Sequence, residues 1–288
     1  MGPTKGVLNY TNLPKQRATR IYTTMSQFPT PITVLITGAA GGLGRVIAEA
    51  FLTKGANVAI CDVNKDRLAE TSSAWTQEHQ RRFIAQQADV SSKSDIEDLV
   101  HAATNTFGRL DILINNAGVL DAFDAAGTCT RETWDRVLNV NLTGPYVCTQ
   151  AAVTAMQAQS PPGGTIINMG SNASVCGTNG GLAYTVSKHG VLGLTRNTAA
   201  FYLDHGITCT MLQLGGLATT NILDSLSTGV NQEGLGMVEK HTPGFKAGFN
   251  DVPLEDVAKF CVLLADRELA KTMNGASVPF NRNWPAGV

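Results

Sequence analysis

Tyr184 and Lys188 stand four residues apart in a stretch of helical pattern, a spacing that puts two side chains on one helix face. A phenol beside an ammonium has a chemical use. The positive charge favours phenolate and lowers the tyrosine pKa from its reference of about 10 toward working pH. Such a tyrosine can act as general acid or base. For an isolated Tyr-x-x-x-Lys the alternative is an exposed helical tyrosine with a solvated lysine. The pair closes the stretch from Asn168 to Gly190. This stretch leaves the strand-like run Thr165-Ile166-Ile167-Asn168, crosses a loop rich in Gly and Asn that carries Ser171 and Cys176, and enters the helix.

The elements that must position this pair are legible upstream and downstream. From Ile32 the chain alternates short β-branched runs with helical patterns: residues 32–36, 57–61, 83–85, 111–114, 164–167 and 207–212. Short, continuously apolar strands separated by helices imply an α/β fold with a parallel sheet covered on both faces. Ser94 with Glu97 reads as a capping box, and Thr130 as the cap of the helix carrying Trp134 and Val137. Gly55, Gly108 and Gly206 fall where helices should end. There is no internal repeat and no interdomain linker.

Between the first strand and the first helix lies Thr37-Gly38-Ala39-Ala40-Gly41-Gly42-Leu43-Gly44. Glycines there permit a tight turn and close approach of the backbone to a pyrophosphate. The helix beginning near Leu43 offers free N–H groups and the positive end of its dipole. Asp62 ends the second strand, near the spacing of about 20 residues expected of a ribose-binding acid. Its carboxylate would accept from both ribose hydroxyls and repel a 2′-phosphate, which favours NAD over NADP. Capping of the next helix is the alternative role for Asp62, and Arg45 keeps NADP open.

In these motifs and their order the chain resembles the short-chain dehydrogenase/reductase family, from about Ile32 to the C-terminus. The matching elements are Thr37-Gly38-x-x-x-Gly42-x-Gly44, Asp89, Asn115-Asn116-Ala117-Gly118, Asn141 in Asn139-Val140-Asn141-Leu142-Thr143-Gly144, Ser171, and Tyr184-x-x-x-Lys188. Ser171 and Tyr184 stand at the family's interval. The resemblance implies a single Rossmann-type doubly wound sheet of about seven strands over 32–288. It also implies roles for four residues. Tyr184 exchanges a proton with the substrate oxygen, and Ser171 hydrogen-bonds that oxygen. Lys188 holds the nicotinamide ribose and lowers the tyrosine pKa, while Asn141 positions a water in the proton relay. Asp89 and Val90 would flank the adenine, Asn116, Ala117 and Gly118 would line the cofactor cleft, and Gly215, Leu217 and Thr219 would face the nicotinamide, Thr219 at its carboxamide. Helix capping for Asp89 and a plain turn at 116–118 are the alternatives. Cys176 is read as a packing residue, and His189 as a solvent or interface histidine.

The chain departs from the family at Leu214-Gly215, where Pro-Gly is usual. Leucine restores a backbone N–H and frees φ, so the following loop is expected to be less rigid. A substrate lid at about 219–250 would carry Ile222, Leu223, Leu226, Leu235, Met237, Phe245 and Phe249. Such a lid suits a lipophilic ketone or secondary alcohol, although these side chains could equally pack the lid onto the core. The leading reading is thus an NAD(H)-dependent oxidoreductase interconverting a secondary alcohol and a ketone. The alternative is a repurposed relative that binds NAD(P) as a sensor or catalyses a non-redox step such as isomerisation.

Composition sets the remaining bounds. The chain has 288 residues, 43% of them hydrophobic, and a formal net charge of -1, so neither nucleic acid nor an anionic membrane is an expected partner. The six cysteines are dispersed singly, without metal-ligand spacing, and read as reduced thiols; no metal is expected. No apolar run approaches the roughly 20 residues of a membrane span. Residues 1–31 contain Lys5, Lys15, Arg17 and Arg20 but no acid, and read as a flexible or surface-draped extension. A mitochondrial leader and a translational start at Met25 are the alternatives, the first weakened by Pro14, Pro29 and Pro31. The expected protein is cytoplasmic, and the family resemblance further implies a homo-oligomer, tetramer or dimer, built through helices at about 131–157 and 184–205 and the C-terminal strand.

Overall fold

In the computed structural model the described residues are 28 and 30–285, apart from 80, 228 and 247. The expected extension at 1–31 lies almost wholly outside them. Phe28, within it, stacks on Phe51 with ring centroids 6.2 Å apart, and its N–H donates to the Lys54 carbonyl at 3.1 Å.

Among the described residues seven strands form one parallel sheet: β1 (Thr33–Thr37), β2 (Asn57–Asp62), β3 (Phe83–Gln87), β4 (Ile112–Asn115), β5 (Gly164–Met169), β6 (Ile207–Leu214) and β7 (Ser277–Phe280). Their order is β3-β2-β1-β4-β5-β6-β7. The chain winds outward from β1 to β3, then returns to add β4 on the other side of β1. Between β1 and β4 the connections leave in opposite directions, and a crevice opens at the strands' carboxyl ends.

The strands are apolar throughout because helices cover both faces. On one face α1 (Gly42–Thr53) and α8 (Leu254–Leu263) bury Ile47, Phe51, Val257 and Cys261 against Val34, Ile36 and Ile60. On the other, α3 (Lys93–Phe107) and α5 (Gly144–Ala158) bury Leu99, Ala103, Cys148 and Met156 against Leu35, Leu113 and Ile166. The helices α2 (Lys65–His79), α4 (Arg131–Leu138), α6 (Leu182–Tyr202), α7 (Gln232–His241) and α9 (Arg267–Thr272) complete the fold.

Thr130 caps α4 by accepting the Thr133 N–H at 3.1 Å, as expected. The cap of α3 is Ser92 rather than Ser94. The helix begins one residue before Ser94, Ser92 accepts the Asp95 N–H at 3.3 Å, and the Asp95 carboxylate accepts from the Ser92 hydroxyl and the Asp89 N–H. Gly108 and Gly206 close helices in the left-handed region, with φ of 83° and 70°. The helix expected at 131–157 is interrupted by a π turn at Asn139–Thr143. Such turns insert one residue into a helix and frequently mark functional positions. Asn141 lies in this one.

Candidate active site

The turn after β1 owes its shape to its glycines. Gly38 and Gly42 have φ of 62° and 51°, where a side chain is strained, and a Cβ on Gly38 would lie 2.8 Å from the Ala117 Cα. Asn116 stitches the end of β4 to this turn: its side-chain amide donates to the Thr37 and Gly38 carbonyls, both at 2.9 Å. Gly44 lets α1 approach β1, since a Cβ there would meet the Gly38 carbonyl oxygen at 2.5 Å. Gly44→Ala is therefore expected to destabilise by about 1–3 kcal/mol through overpacking. Thermal melting should show a drop of several degrees, and a change below about 1 °C would contradict the contact.

Asp62 ends β2 with its Oδ2 accepting from the Ala40 N–H at 3.1 Å and its Oδ1 from the Asn64 N–H at 2.9 Å. These bonds fix the carboxylate at the edge of one cavity of about 1150 Å³. That cavity is also walled by Gly38, Gly42, Leu43, Asp89, Val90, Ala117, Gly118, Ser171, Tyr184, Lys188, Gly215 and Leu217. Gly44, a packing residue, and buried Asn141 are outside the wall. Thr219 is exposed and also outside it; its neighbour Thr220 is in the wall, with a buried hydroxyl that lacks a protein partner. The glycine cradle, the aligned carboxylate and this orphan hydroxyl fit a dinucleotide.

Tyr184 and Lys188 lie in the first turns of α6, one turn apart, with the Lys188 Nζ 5.6 Å from the phenol ring centroid. The ammonium donates to the Met169 carbonyl at 2.8 Å. Burial pushes the Tyr184 pKa up to about 12, against a downward pull from the Ser171 hydroxyl, and the Asp121 charge raises it further. Burial likewise brings Lys188 down to about 8. In the polypeptide itself the net shift of the tyrosine is therefore upward, opposite to what the sequence suggests, because desolvation of the phenolate outweighs the influences that favour it.

Asn141 is held within the π turn. Its Oδ1 accepts the Val119 N–H at 2.8 Å, and its Nδ2 donates to the Val119 carbonyl at 2.9 Å and the Ser187 hydroxyl at 3.2 Å. Pro145 has no N–H to give the Asn141 carbonyl four residues before it. The Ser171 hydroxyl caps a short 3-10 turn, accepting from the Ala173 N–H at 3.1 Å. Cys176 is half-buried beside Thr178, and His189 is exposed. Among the described residues there is no group of His, Cys, Asp and Glu that could hold a metal.

Leu214 does not loosen the backbone where it stands. It is the last residue of β6, in register with Phe280 of β7, and its side chain is buried, so the sheet fixes the φ that leucine leaves free. The irregular segment starts only after it. There the lid forms a 3-10 run (Asn221–Leu226) and α7. The Asn221 side chain lies over Gly41 and Gly42, Asp224 pairs with Arg67, and Ser225 accepts the Leu120 N–H at 2.9 Å. The C-terminal tail backs the lid. The Trp284 ring packs on Phe245 with centroids 4.8 Å apart, its indole N–H donates to the Pro243 carbonyl at 3.0 Å, and its carbonyl accepts from Asn172 Nδ2 at 2.8 Å.

Several wall residues escaped the sequence reading. Thr220, Asn172 and the Arg67–Asp224 pair carry no motif, and Asp121, buried outside the wall, acts across 60 and 63 positions. Trp284 belongs to no motif either.

Comparison with known proteins agrees with this architecture. Residues 32–230 match the short chain dehydrogenase family. The chain is 40% identical over 259 residues to the short chain dehydrogenase/reductase dpfgG of Gibberella zeae, covering 89% of this chain and 94% of that one. It is 32% identical over 254 residues to 3beta-hydroxysteroid dehydrogenase 2 of Eggerthella lenta, covering 88% and 95%. Among solved structures, levodione reductase superposes with a TM-score of 0.77 at 27% identity, covering 89% of this chain and 98% of that one. The chain belongs to the short-chain dehydrogenase/reductase family of oxidoreductases, whose members use NAD(H) or NADP(H).

Proposed function

We propose that the protein interconverts a secondary alcohol and a ketone on a lipophilic small molecule, with NAD(H) as cofactor and Tyr184 as general acid/base. The observation that carries this reading is the meeting of Ser171, Tyr184 and Lys188 in the same cavity as the glycine turn and Asp62. The bound nicotinamide supplies or accepts the hydride. Tyr184 and Ser171 donate hydrogen bonds to the substrate oxygen, where alkoxide charge builds during reduction, and Tyr184 then yields its proton. Lys188 spends one of its three N–H bonds on Met169 and has two left for the nicotinamide ribose. Asn141 anchors the relay, where it would position a bridging water. Gly38, Gly42 and Leu43 bind the pyrophosphate, with Gly44 shaping the turn. Asp89 and Val90 flank the adenine, Asn116, Ala117 and Gly118 form the floor, and Gly215, Leu217 and Thr220 face the nicotinamide, Thr220 in place of Thr219.

The substrate side of the cavity is walled by Leu120, Phe123, Ile222, Leu235, Phe245 and Trp284. An apolar, partly aromatic wall suits a lipophilic ring system. Relatives named for a hydroxysteroid and for levodione point the same way. Asp62 favours NAD, and Asp62→Asn, which keeps the shape and removes the charge, is expected to weaken NAD about 10-fold or more while strengthening NADP. Fluorescence titration of both reduced cofactors reads the ratio; an unchanged ratio would sink this assignment.

Exposed Tyr146 on α5 and Val186 and Phe201 on α6 support a homo-oligomer through these helices. Among the described residues no helix is long and apolar enough to cross a membrane. The decisive experiment is NADH and NADPH oxidation against a panel of lipophilic ketones. Turnover supports the dehydrogenase reading. Tight NAD binding without hydride movement would favour a sensor or a non-redox catalyst.

A further inference from the structure

Asp121 is fully buried in the loop between β4 and α4. Its Oδ1 accepts the N–H of Gly181 at 3.0 Å and of Phe123 at 3.2 Å, and its Oδ2 accepts the N–H of Tyr184 at 2.9 Å. Gly181 is the N-cap of α6 and has no side chain to satisfy the first turn. A carboxylate from another part of the chain therefore does the work of a capping residue, bonding the N-cap amide and that of the catalytic tyrosine. The fit is close: a Cβ on Gly181 would lie 2.6 Å from either carboxylate oxygen. Asp124 of the same loop adds a main-chain cap, its carbonyl accepting the Leu182 N–H at 2.7 Å.

We propose that Asp121 is a positioning residue for proton transfer: its buried carboxylate seats the first turn of α6 and, by its charge, opposes ionisation of Tyr184. The inference rests on the reading of Tyr184 as acid/base. A helix N-terminus by itself favours a nearby anion, here the phenolate. Asp121 occupies that end with a fixed negative charge and adds repulsion, which agrees with its raising the Tyr184 pKa. The charged groups that line the phenol's cavity are Asp62, Arg67, Asp89, Arg136, Lys188, Asp224 and Glu239, and Asp121 lies buried beside them. Only Asp121 among them bonds the tyrosine's own backbone. Burial is the larger cause of the raised tyrosine pKa and the Asp121 charge adds to it, which suits the phenol to giving a proton to a carbonyl.

The test is Asp121→Asn, which keeps an oxygen acceptor and removes the charge. Tyr184 ionisation is read as phenolate absorbance after a stopped-flow pH jump, each protein being compared with its own Tyr184→Phe counterpart. The expected result is a titration moved down by roughly half a pH unit or more, with the pH limb of turnover moving alongside. A folded Asn variant with an unmoved titration would overturn the proposal and leave Asp121 a structural cap only. Should the variant not fold, Asp121→Ser, which also keeps a short oxygen acceptor without the charge, is read in the same way: a lowered titration upholds the proposal and an unmoved one overturns it. The optical titration needs no substrate. A moved titration without turnover on any ketone would thus sustain Asp121's role while defeating the dehydrogenase reading.

Discussion

Tyr184→Phe is expected to lower turnover by roughly 10³-fold, the scale set by loss of a positioned general acid, while the Kd for NADH changes by less than about twofold. The phenol ring is buried, and phenylalanine preserves its volume and its contact with Lys188. What disappears is one hydroxyl, the group that would both hydrogen-bond the substrate oxygen and protonate it. Burial keeps that hydroxyl protonated well past neutrality, so ketone reduction should run on a plateau at physiological pH and alcohol oxidation should climb with pH. Steady-state kinetics beside cofactor titration checks both halves. A variant that keeps a tenth of the activity would mean that the proton comes from elsewhere.

Lys188→Met should separate activity from stability. Activity is expected to fall about 10²–10³-fold through loss of a buried cationic donor. Stability should hold or rise. The ammonium's pKa is about 8 in the folded chain against 10.5 ordinarily, so below pH 8 the fold carries the whole penalty of the buried charge, roughly 3 kcal/mol. Between pH 8 and 10.5 the unfolded chain binds a proton that the folded one does not, and wild-type stability rises with pH across that window. Against the penalty stands one bond to the Met169 carbonyl, whose loss costs about 1–3 kcal/mol. The melting temperature of the variant relative to wild type should therefore be most favourable near pH 7 and shrink toward pH 10. A large drop at pH 7 would show that the ammonium supports the fold.

Much of this was legible because it is local. Strand runs, Thr130, Gly108, the glycine turn and Tyr184-x-x-x-Lys188 each depend on a few neighbouring residues, and the structure gathers nearly all of the expected wall around one cavity. What was not legible depends on distance or on burial. Asp121 meets Tyr184 only once the β4 loop is laid against α6, and nothing in Val119-Leu120-Asp121 announces it. The direction of the Tyr184 pKa turned on how deeply the phenol is buried, which spacing does not encode. At Ser92 and Ser94 two serines compete for one cap, and the place where α3 starts decides between them. Leu214 looked like a loosened loop because the sequence does not show where β6 stops.

The contact between Phe245 and Trp284 also bears on attempts to change what the enzyme accepts. The lid and the tail are far apart in the chain yet form one wall, joined by the two rings, by the indole bond to Pro243 and by Arg282, which donates to the Phe249 carbonyl at 3.2 Å. They are best treated as one exchangeable cassette. A chimera that imported a foreign segment at 217–250 but kept residues 281–284 would set an unmatched segment against Trp284, which the bond from Asn172 still ties to the turn that carries Ser171. A recombination breakpoint belongs after Gly215, with everything C-terminal to it exchanged together, because the Gly215 N–H pairs with the Phe280 carbonyl through main-chain atoms that either parent supplies.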